Sequence, residues 1–236
     1  MLIDIVTLFP EMFTGYFGNS IIKRAIDNKI LKIRFTQLRD FAFDKHRQVD
    51  DSPFGGGSGM VLKPEPMYRA VRDVLSKSDK NFSRQIIITD PSGETFTQKK
   101  AKYLAKNFNQ LVFICGHYEG FDARIYDLAD EIISVGDYVL TGGELPTMVI
   151  VDAVARMLPN VLGSAESAET DSFFDGLLGY PQYTRPREFE GKFVPDVLLS
   201  GNHAEIKKWR QEKSLELTRR RRPDLLNDSR EKILCR

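Results

Sequence analysis

The chain has 236 residues, of which 42% are hydrophobic and 28% charged; this composition is typical of globular proteins and excludes disordered and collagen-like classes. No apolar run is long enough to cross a bilayer, and the first residues lack the basic start of a secretory signal. Two cysteines, Cys115 and Cys235, are too few for a disulfide scaffold, so we expect a reduced, cytoplasmic setting.

The charge is distributed unevenly along the chain. Residues 200–236 contain eleven Lys and Arg against six Asp and Glu, a net charge of +5, whereas residues 1–199 carry −4; together they give the +1 of the whole chain. A basic tail on an acidic body indicates a polyanionic partner. A solvated helix face explains the same charges about equally well.

The first two-thirds of the chain alternates short apolar runs with helical periodicity. The predicted strands are residues 2–8, 31–38, 85–89, 111–115 and 131–135, and the predicted helices are residues 11–28, 66–77, 98–107, 123–129 and 145–158. The runs at 85–89 and 111–115 are apolar nearly throughout, as in strands buried on both faces. This order predicts an α/β fold with a mostly parallel sheet and helices on both faces.

The last third of the chain differs in composition. Residues 160–201 are rich in Gly, Ser, Pro and acidic residues and have little periodicity, which indicates either a linker or a functional segment. Ile206, Trp209 and Leu215 then follow at helical spacing. We therefore predict a small helical C-terminal domain.

Several common catalytic motifs are absent from the sequence. There is no phosphate-binding P-loop and no G-x-S-x-G nucleophile elbow, and the glycine run at 55–59 does not connect a strand to a helix as a Rossmann fingerprint does. The three histidines are too far apart in sequence for a recognisable metal-ligand spacing. Common nucleotide, hydrolase and zinc enzymes are therefore disfavoured.

Glycine-rich turns follow three predicted strands, at residues 90–93, 116–120 and 135–146. In open parallel sheets, ligands bind at the carboxyl ends of the strands, and glycines there let the backbone approach a ligand closely. Such loops suit a nucleoside-like ligand that needs backbone hydrogen bonds but no phosphate cradle. A role in turn formation alone explains any one of these loops better than it explains all three.

Three further groups of polar residues are candidates for function. Arg156 ends the helix after Gly142 and Gly143, from where it could point back into the crevice. Asp171 lies in an acidic segment, and His46 and Asp50 precede the glycine run at 55–59. Each also has a simple structural explanation: an exposed helix end, a solvated loop carboxylate and an ordinary surface loop.

Longer motifs make a family resemblance specific. They are CGHYEGFDAR at 115–124, SVGDYVLTGGELP at 134–146, ETDSFFDGLLGYPQYTRP at 169–186 and VLLSGNHAEIKKWR at 197–210, with DIVTLFPEMF at 4–13 and DSPFGGGSGMVLKPEP at 51–66. The sequence resembles the bacterial tRNA (guanine-N1)-methyltransferase family, TrmD, of the SPOUT superfamily, nearly from end to end.

The resemblance implies a fold and a reaction. Residues 1–160 would form a SPOUT-type trefoil-knotted catalytic domain that binds S-adenosylmethionine. Residues 161–175 would be a flexible linker carrying Asp171, and residues 176–236 a mainly helical, basic tRNA-binding domain. The protein would be a homodimer with each active site shared across the interface, would act on tRNA and not on DNA or a membrane, and would methylate N1 of guanosine 37. The resemblance also implies a possible use of Mg²⁺, but the residues that would bind it cannot be identified from the sequence.

The resemblance also implies roles for individual residues. Asp171 would be the general base and Arg156 would stabilise charge on the guanine. The cofactor-contacting positions would be Pro91, Gly116, Tyr118, Glu119, Val135, Gly136, Asp137, Tyr138, Val139, Leu140, Gly142, Gly143 and Pro146. The positions near the tRNA would be His46, Asp50, Gly57 and Gly59.

Two residues depart from the family pattern. His117 stands where many relatives have Arg, and Gly179 stands where some have Asp, so contacts from those positions do not transfer. Two other functions remain open at this point: a non-catalytic RNA-binding module, and a methyltransferase acting on a ribose 2′-hydroxyl. The intact motifs disfavour both.

Overall fold

The computed structural model of the chain describes residues 1–163 and 170–226. The chain divides into two compact units, Met1–Gly163 and Ser164–Arg236. The predicted linker at 161–175 contains the boundary between them, but its residues 164–169 lie outside the described part of the chain, as do residues 227–236 of the basic tail.

The N-terminal unit contains the main sheet. Its strands are β1 (Leu2–Thr7), β2 (Lys32–Gln37), β3 (Asp50–Asp51), β4 (Val61–Leu62), β5 (Arg84–Thr95), β6 (Gln110–Cys115) and β7 (Glu131–Ser134). Its helices are α1 (Thr14–Phe17), α2 (Ser20–Asp27), α3 (Pro64–Ser76), α4 (Gln98–Asn107) and α5 (Glu144–Ala155), with 3-10 helices at Pro10–Phe13, Leu38–Phe41 and Ala123–Leu128.

Five of these strands form one sheet in the order β2-β1-β6-β5-β7, and all neighbours are parallel. Every residue of β1 and β6 is buried. The predicted α/β fold with a parallel sheet is therefore confirmed. The two-residue strands β3 and β4 form a separate antiparallel pair.

Two apolar layers cover the two faces of the sheet, because successive strand residues point to opposite faces. Phe113 packs with residues of α2, α4 and α5 in one layer. Its neighbours Val112 and Ile114 pack with α3 and the 3-10 helix Ala123–Leu128 in the other. This alternation explains why the central strands are apolar nearly throughout.

At the amino end of the sheet, the buried carboxylate of Asp4 accepts two hydrogen bonds from Arg34, at 2.6 and 2.9 Å. Gln110 Nε2 donates a third at 2.7 Å. Asp4 is 1% exposed, so these bonds compensate a charge that burial would otherwise make costly.

Two predicted elements have different bounds in the structure. The strand predicted at 85–89 continues as β5 to Thr95, with a shift in its pairing to β7 between Thr89 and Glu94. The turn predicted at 90–93 is therefore part of this irregular strand. The single helix predicted at 11–28 is divided into three short pieces, because Gly18 and Asn19 interrupt it and Ser20 adopts a φ of 53°.

The described part of the C-terminal unit contains a short antiparallel pair, β8 (Glu188–Phe189) and β9 (Lys192–Phe193), a 3-10 helix at Asp196–Leu199 and one long helix, α6 (His203–Arg221). Asn202 caps α6 by accepting hydrogen bonds from the backbone N–H groups of Ala204 and Glu205. None of the described helices is long and apolar enough to span a membrane.

Candidate active site

A cavity of about 220 Å³ lies at the ends of β6 and β7, beside the irregular part of β5. Its walls come from residues 89–91 of β5, residues 116–121 after β6, and residues 133–136 and 138–143 at the end of β7 and beyond, with Pro146 of α5. This is the edge at which parallel sheets place their ligand crevices. The structure thus brings the three glycine-rich segments of the sequence together around one space.

Close packing between these loops depends on glycine at position 143. Gly143 N–H donates to the carbonyl of Gly116 at 2.8 Å. A Cβ atom at Gly143 would lie 2.4 Å from Thr89 Oγ1 and 2.8 Å from Gly116 N, distances that real Cβ atoms do not adopt. Any side chain at 143 would therefore separate the loops that form the cavity wall.

Of the thirteen predicted cofactor positions, twelve line this cavity. They are Pro91, Gly116, Tyr118, Glu119, Val135, Gly136, Tyr138, Val139, Leu140, Gly142, Gly143 and Pro146. Asp137 is the exception: it is exposed on the loop after β7 and does not line the cavity.

The predicted substrate residues lie on the β3–β4 hairpin and the loop before it. Asp50 belongs to β3, and the backbone of β4 is joined to the cavity loop by hydrogen bonds from Leu62 N–H to Gly120 O and from Asp122 N–H to Leu62 O, both 3.0 Å. Gly59 directly adjoins a cavity residue, since a Cβ there would lie 2.4 Å from Glu119 Cγ. His46 and Gly57 are exposed. The hairpin therefore packs against a loop that lines the cavity.

The mouth of the cavity is apolar and presents backbone donors. Tyr118, Tyr138 and Val139 line it although they are 43%, 57% and 87% exposed. Among the described residues, no acceptor is found for the backbone N–H groups of Val139, Leu140 and Thr141. Apolar surface next to free backbone donors suits a nucleoside, whose rings need apolar contacts and whose edges need hydrogen bonds.

Carboxylates supply the charge on the cavity wall. Asp90 and Glu119 both line it, and Tyr126 donates a hydrogen bond to Asp90 Oδ2 at 2.9 Å. Burial, with the neighbouring Asp90, raises the pKa of Tyr126 to about 12. The wall therefore carries negative charge next to the apolar surface, an arrangement that suits a cationic ligand such as a sulfonium.

Cys115 is not a candidate nucleophile. It is buried at the end of β6, where its thiol contacts Thr147 Oγ1 at 3.3 Å. Burial, and secondarily the charge of Glu144, raises the pKa of this thiol far above its usual range, which disfavours the reactive thiolate. The prediction of a buried strand-end cysteine is confirmed.

Arg156 lies at the other end of α5 from the cavity. The helix has 12 residues, so a rise of about 1.5 Å per residue places Arg156 roughly 19 Å along the axis from Gly143. It does not line the cavity. The sequence left open whether Arg156 points into the crevice or lies at an exposed helix end, and in the structure it is half-buried outside the cavity wall. Its guanidinium instead influences Tyr16, whose pKa burial and the adjacent Asp152 raise and Arg156 lowers.

Asp171 belongs to a second cavity, within the C-terminal unit and about 710 Å³ in volume. Asp175 lines the same cavity from the loop, and His203, Lys207 and Arg210 line it from α6. Arg210 also lies over the ring of Tyr180 at 4.8 Å. The predicted general base thus shares a cavity with basic side chains of the helix.

Sequence reasoning missed several residues of both cavities. Thr89, Asp90 and Thr141 line the first, and Lys207 and Arg210 line the second. The sequence contains a signal for Asp90 and Thr141, since each is next to a predicted cofactor position. The basic residues of α6 contribute to the net positive charge of residues 200–236, but the sequence does not indicate that they lie near Asp171.

The described residues do not form a recognisable metal centre. Within 1–163 and 170–226, no group of three or more His, Cys, Asp or Glu side chains is placed to hold an ion. No chemical step is therefore assigned to Mg²⁺ below.

Comparison with known proteins identifies the family. The family model described as tRNA (Guanine-1)-methyltransferase TrmD matches residues 1–228. Proteins named tRNA (guanine-N(1)-)-methyltransferase are similar over nearly the whole chain. The one from Alkaliphilus oremlandii is 53% identical over 232 residues, covering 97% of this chain and 93% of its own. The one from Shouchella clausii is 56% identical over 226 residues, covering 96% and 91%.

The match spans the cavity at the strand ends, the β3–β4 hairpin and the loop that carries Asp171. Its extent and the identities above leave no part of the described structure outside the similarity. The chain belongs to the TrmD family of tRNA (guanine-1)-methyltransferases.

Proposed function

We propose that the protein transfers a methyl group from S-adenosylmethionine to N1 of guanosine 37 of tRNA. Family membership supports the guanine-N1 reaction. The observation that carries the cofactor assignment is the cavity at the strand ends, which collects twelve motif residues around an apolar, negatively charged and donor-rich space. S-adenosylmethionine, when bound, supplies an electrophilic methyl group on a sulfonium.

The protein side chains must then remove a proton and stabilise charge. Guanine N1 carries a hydrogen and becomes a good nucleophile only when that proton leaves, so we assign Asp171 as the base that accepts it. Loss of the proton moves negative charge towards O6, and we assign Arg156 to stabilise that charge. The methyl transfer itself requires mainly alignment of the reacting atoms.

We also propose a homodimer whose active sites are shared. Leu145 and Val149, 49% and 54% exposed, lie on one face of α5, and Asp152 and Arg156 continue that face at helical spacing. The face begins beside the cavity and ends at Arg156. If two copies pair α5 antiparallel across a two-fold axis, the cavity of one copy lies next to the partner's Arg156. The 19 Å separation within one chain supports this arrangement.

A mixing experiment tests the shared site. Arg156→Ala removes the charge-stabilising group from one component, and Gly143→Ala weakens cofactor binding in the other. At a concentration of S-adenosylmethionine well below the Kd of Gly143→Ala, each homodimer is nearly inactive. If Arg156 acts across the interface, a hybrid dimer of the two variants has one intact active site and one doubly impaired site. Random mixing makes about half of the dimers hybrids, so roughly a quarter of the wild-type activity should return. No recovery, with hybrids shown to form, would assign Arg156 to its own cavity.

The remaining proposals concern the fold and the RNA. A trefoil knot in the N-terminal unit is supported by the position of β5, which lies between β6 and β7 although it precedes both in the chain. A tRNA-binding role for residues 176–236 is supported by the basic residues of α6, because phosphate contacts give affinity without sequence specificity. A tRNA substrate also supports the expected cytoplasmic location.

The decisive test is methyl incorporation into unmodified tRNA, followed by mapping of the methylated atom. N1 of guanosine 37 is the expected product. Methylation of a ribose 2′-hydroxyl would overturn the assignment of the atom. Tight tRNA binding without any methyl transfer would favour a non-catalytic RNA-binding module instead.

A further inference from the structure

Helix α6 contains one buried residue, and that residue is polar. Thr218 is fully buried, whereas the other residues of the helix are half-buried or exposed. Burial of a hydroxyl is unfavourable unless it is hydrogen-bonded. The partners of Thr218 are therefore informative about what the helix holds.

Thr218 and Ser214 together pair both backbone groups of Leu178. Thr218 Oγ1 accepts a hydrogen bond from Leu178 N–H at 3.0 Å and donates one to the carbonyl of Ser214 at 2.8 Å. Ser214 Oγ donates to the carbonyl of Leu178. We call these two hydroxyl side chains the hydroxyl clamp. It ties a loop residue to the helix by backbone groups that would otherwise be unpaired there.

The clamped residue is linked to Asp171 through a closed turn. Phe173 N–H donates to the carbonyl of Leu177 at 2.6 Å, and Gly179 N–H donates to Ser172 Oγ at 2.8 Å. Phe173 has a φ of 69°, which costs backbone strain and persists where surrounding contacts hold it. These bonds close residues 172–179 into one turn directly after Asp171.

The same helix contributes to the cavity that Asp171 lines. Lys207 and Arg210 line it together with Asp171 and Leu178. In the described residues 170–226, no apolar side chain is fully buried, although Leu177, Leu178 and Ile206 are half-buried along this cavity. Hydrogen bonds are therefore one of the means by which this loop is held to α6.

We propose that Ser214 and Thr218 are positioning residues for Asp171: by clamping Leu178 they fix the general base against the helix that receives the tRNA. This inference rests on the proposed function of Asp171. Thr218 lines neither cavity, and Ser214 lines the cavity that Asp171 lines; the hydrogen bonds of the clamp reach Asp171 through the turn at 172–179. A base misplaced by about 1 Å loses roughly a hundredfold in rate.

Two substitutions at one position separate the hydroxyl from packing. Thr218→Val keeps the shape of the side chain and removes the hydroxyl, whereas Thr218→Ser keeps the hydroxyl and removes a methyl group. With full-length protein and saturating tRNA, we expect Thr218→Val to lower kcat roughly ten- to a hundredfold and Thr218→Ser to stay within about threefold of wild type. The reverse ranking would show that Thr218 only fills space.

Three further readouts distinguish positioning from general instability. The KM and Kd for S-adenosylmethionine should be unchanged in Thr218→Val, since the first cavity lies in the other unit. The ratio of the wild-type kcat to the kcat of Thr218→Val should decrease as the pH is raised above neutral, because hydroxide then helps to remove the N1 proton. Backbone hydrogen exchange should accelerate at residues 173–179. If the ratio of the two kcat values does not change with pH, and hydrogen exchange at residues 173–179 is unchanged, the inference is overturned.

Ser214→Ala keeps the test decisive if Thr218→Val does not fold. It removes only the bond to the carbonyl of Leu178, and we expect a smaller loss of kcat with the same decrease of the kcat ratio at high pH. Wild type checks the proposed function separately: if it does not methylate N1 of guanosine 37, that function is wrong and the inference falls with it. If wild type is active and both clamp variants match it, only the inference is wrong.

Discussion

The two units hold their functional side chains by different means. In Met1–Gly163, two apolar layers cover a parallel sheet, and loops packed at glycine-only distances form the cavity at its edge. In the described residues 170–226, only Thr218 is buried, and hydrogen bonds hold the turn that follows Asp171. The difference corresponds to the proposed ligands: a small cofactor suits a preformed cavity, and a large RNA suits a surface that can adjust.

The largest effect expected from a single substitution tests whether the two units work separately. Asp171→Asn should reduce methyl transfer by about 10²–10⁴-fold, the usual contribution of a general base. The affinity for S-adenosylmethionine, measured by calorimetry, should not change. Asp175→Asn is the matched control because Asp175 lines the same cavity, and it should remain active. If both variants lose methyl-transfer activity equally, Asp171 is not the specific general base.

The second prediction concerns the stability of the N-terminal unit. Arg34→Ala leaves the buried Asp4 carboxylate with Gln110 as its remaining side-chain partner, and should lower the free energy of unfolding by about 3 kcal/mol. Arg47→Ala breaks an ion pair with Asp40 that is more than half exposed on both sides and should cost less than about 1 kcal/mol. Urea unfolding measures both. If the two variants lose similar amounts of unfolding free energy, burial of Asp4 does not determine the loss in Arg34→Ala.

A third substitution acts on the cavity wall. Gly143→Ala forces a methyl group against Thr89 and Gly116, and such overpacking costs about 1–3 kcal/mol. We expect the affinity for S-adenosylmethionine to fall roughly ten- to a hundredfold. Gly163→Ala, where a Cβ would meet nothing within 4 Å, should bind normally. An unchanged affinity of Gly143→Ala for S-adenosylmethionine would show that the cavity wall can move to accommodate the methyl group.

The smallest expected effect depends on pH. Tyr126 has a pKa of about 12, above the ordinary value of 10.0, because it is partly buried beside Asp90. A pKa raised on folding stabilises the protein below pH 10 and loses that contribution as the pH rises towards 12. After allowance for solvent screening, the loss is about 1 kcal/mol. Tyr126→Phe should show a shallower decline in unfolding free energy over this range; equal slopes would contradict the prediction.

The sheet and the first cavity could be predicted because their signals are local. Residues 111–115 form an apolar strand followed directly by Gly116, and the carboxyl ends of parallel strands meet at one edge. The extension of β5 could not be predicted, since Asp90-Pro91-Ser92-Gly93 has the composition of a turn. Pairing of Glu94 and Thr95 with β7 restores the strand there, and that pairing depends on residues about forty positions away.

The second cavity was predictable only in part. Asp171 could be selected from its motif, but the contacts between Leu178 and residues 214 and 218 join positions 36 and 40 residues apart in the chain. Nothing in the polar sequence of α6 marks Thr218 as its one buried residue. The position of Arg156 at the far end of α5 could not be predicted either, because helix spacing gives the face on which a residue lies and not the direction in which the helix runs from the sheet.

The glycine contacts around the first cavity also constrain the design of inhibitors. Because Gly143 and Gly116 already approach as closely as backbone atoms allow, a competitive ligand cannot gain space by displacing that wall. A compound too large for the cavity must extend outwards, over Tyr118, Tyr138 and Val139. Added bulk will therefore contact the exposed side chains at the mouth of the cavity and not the closely packed backbone of its wall.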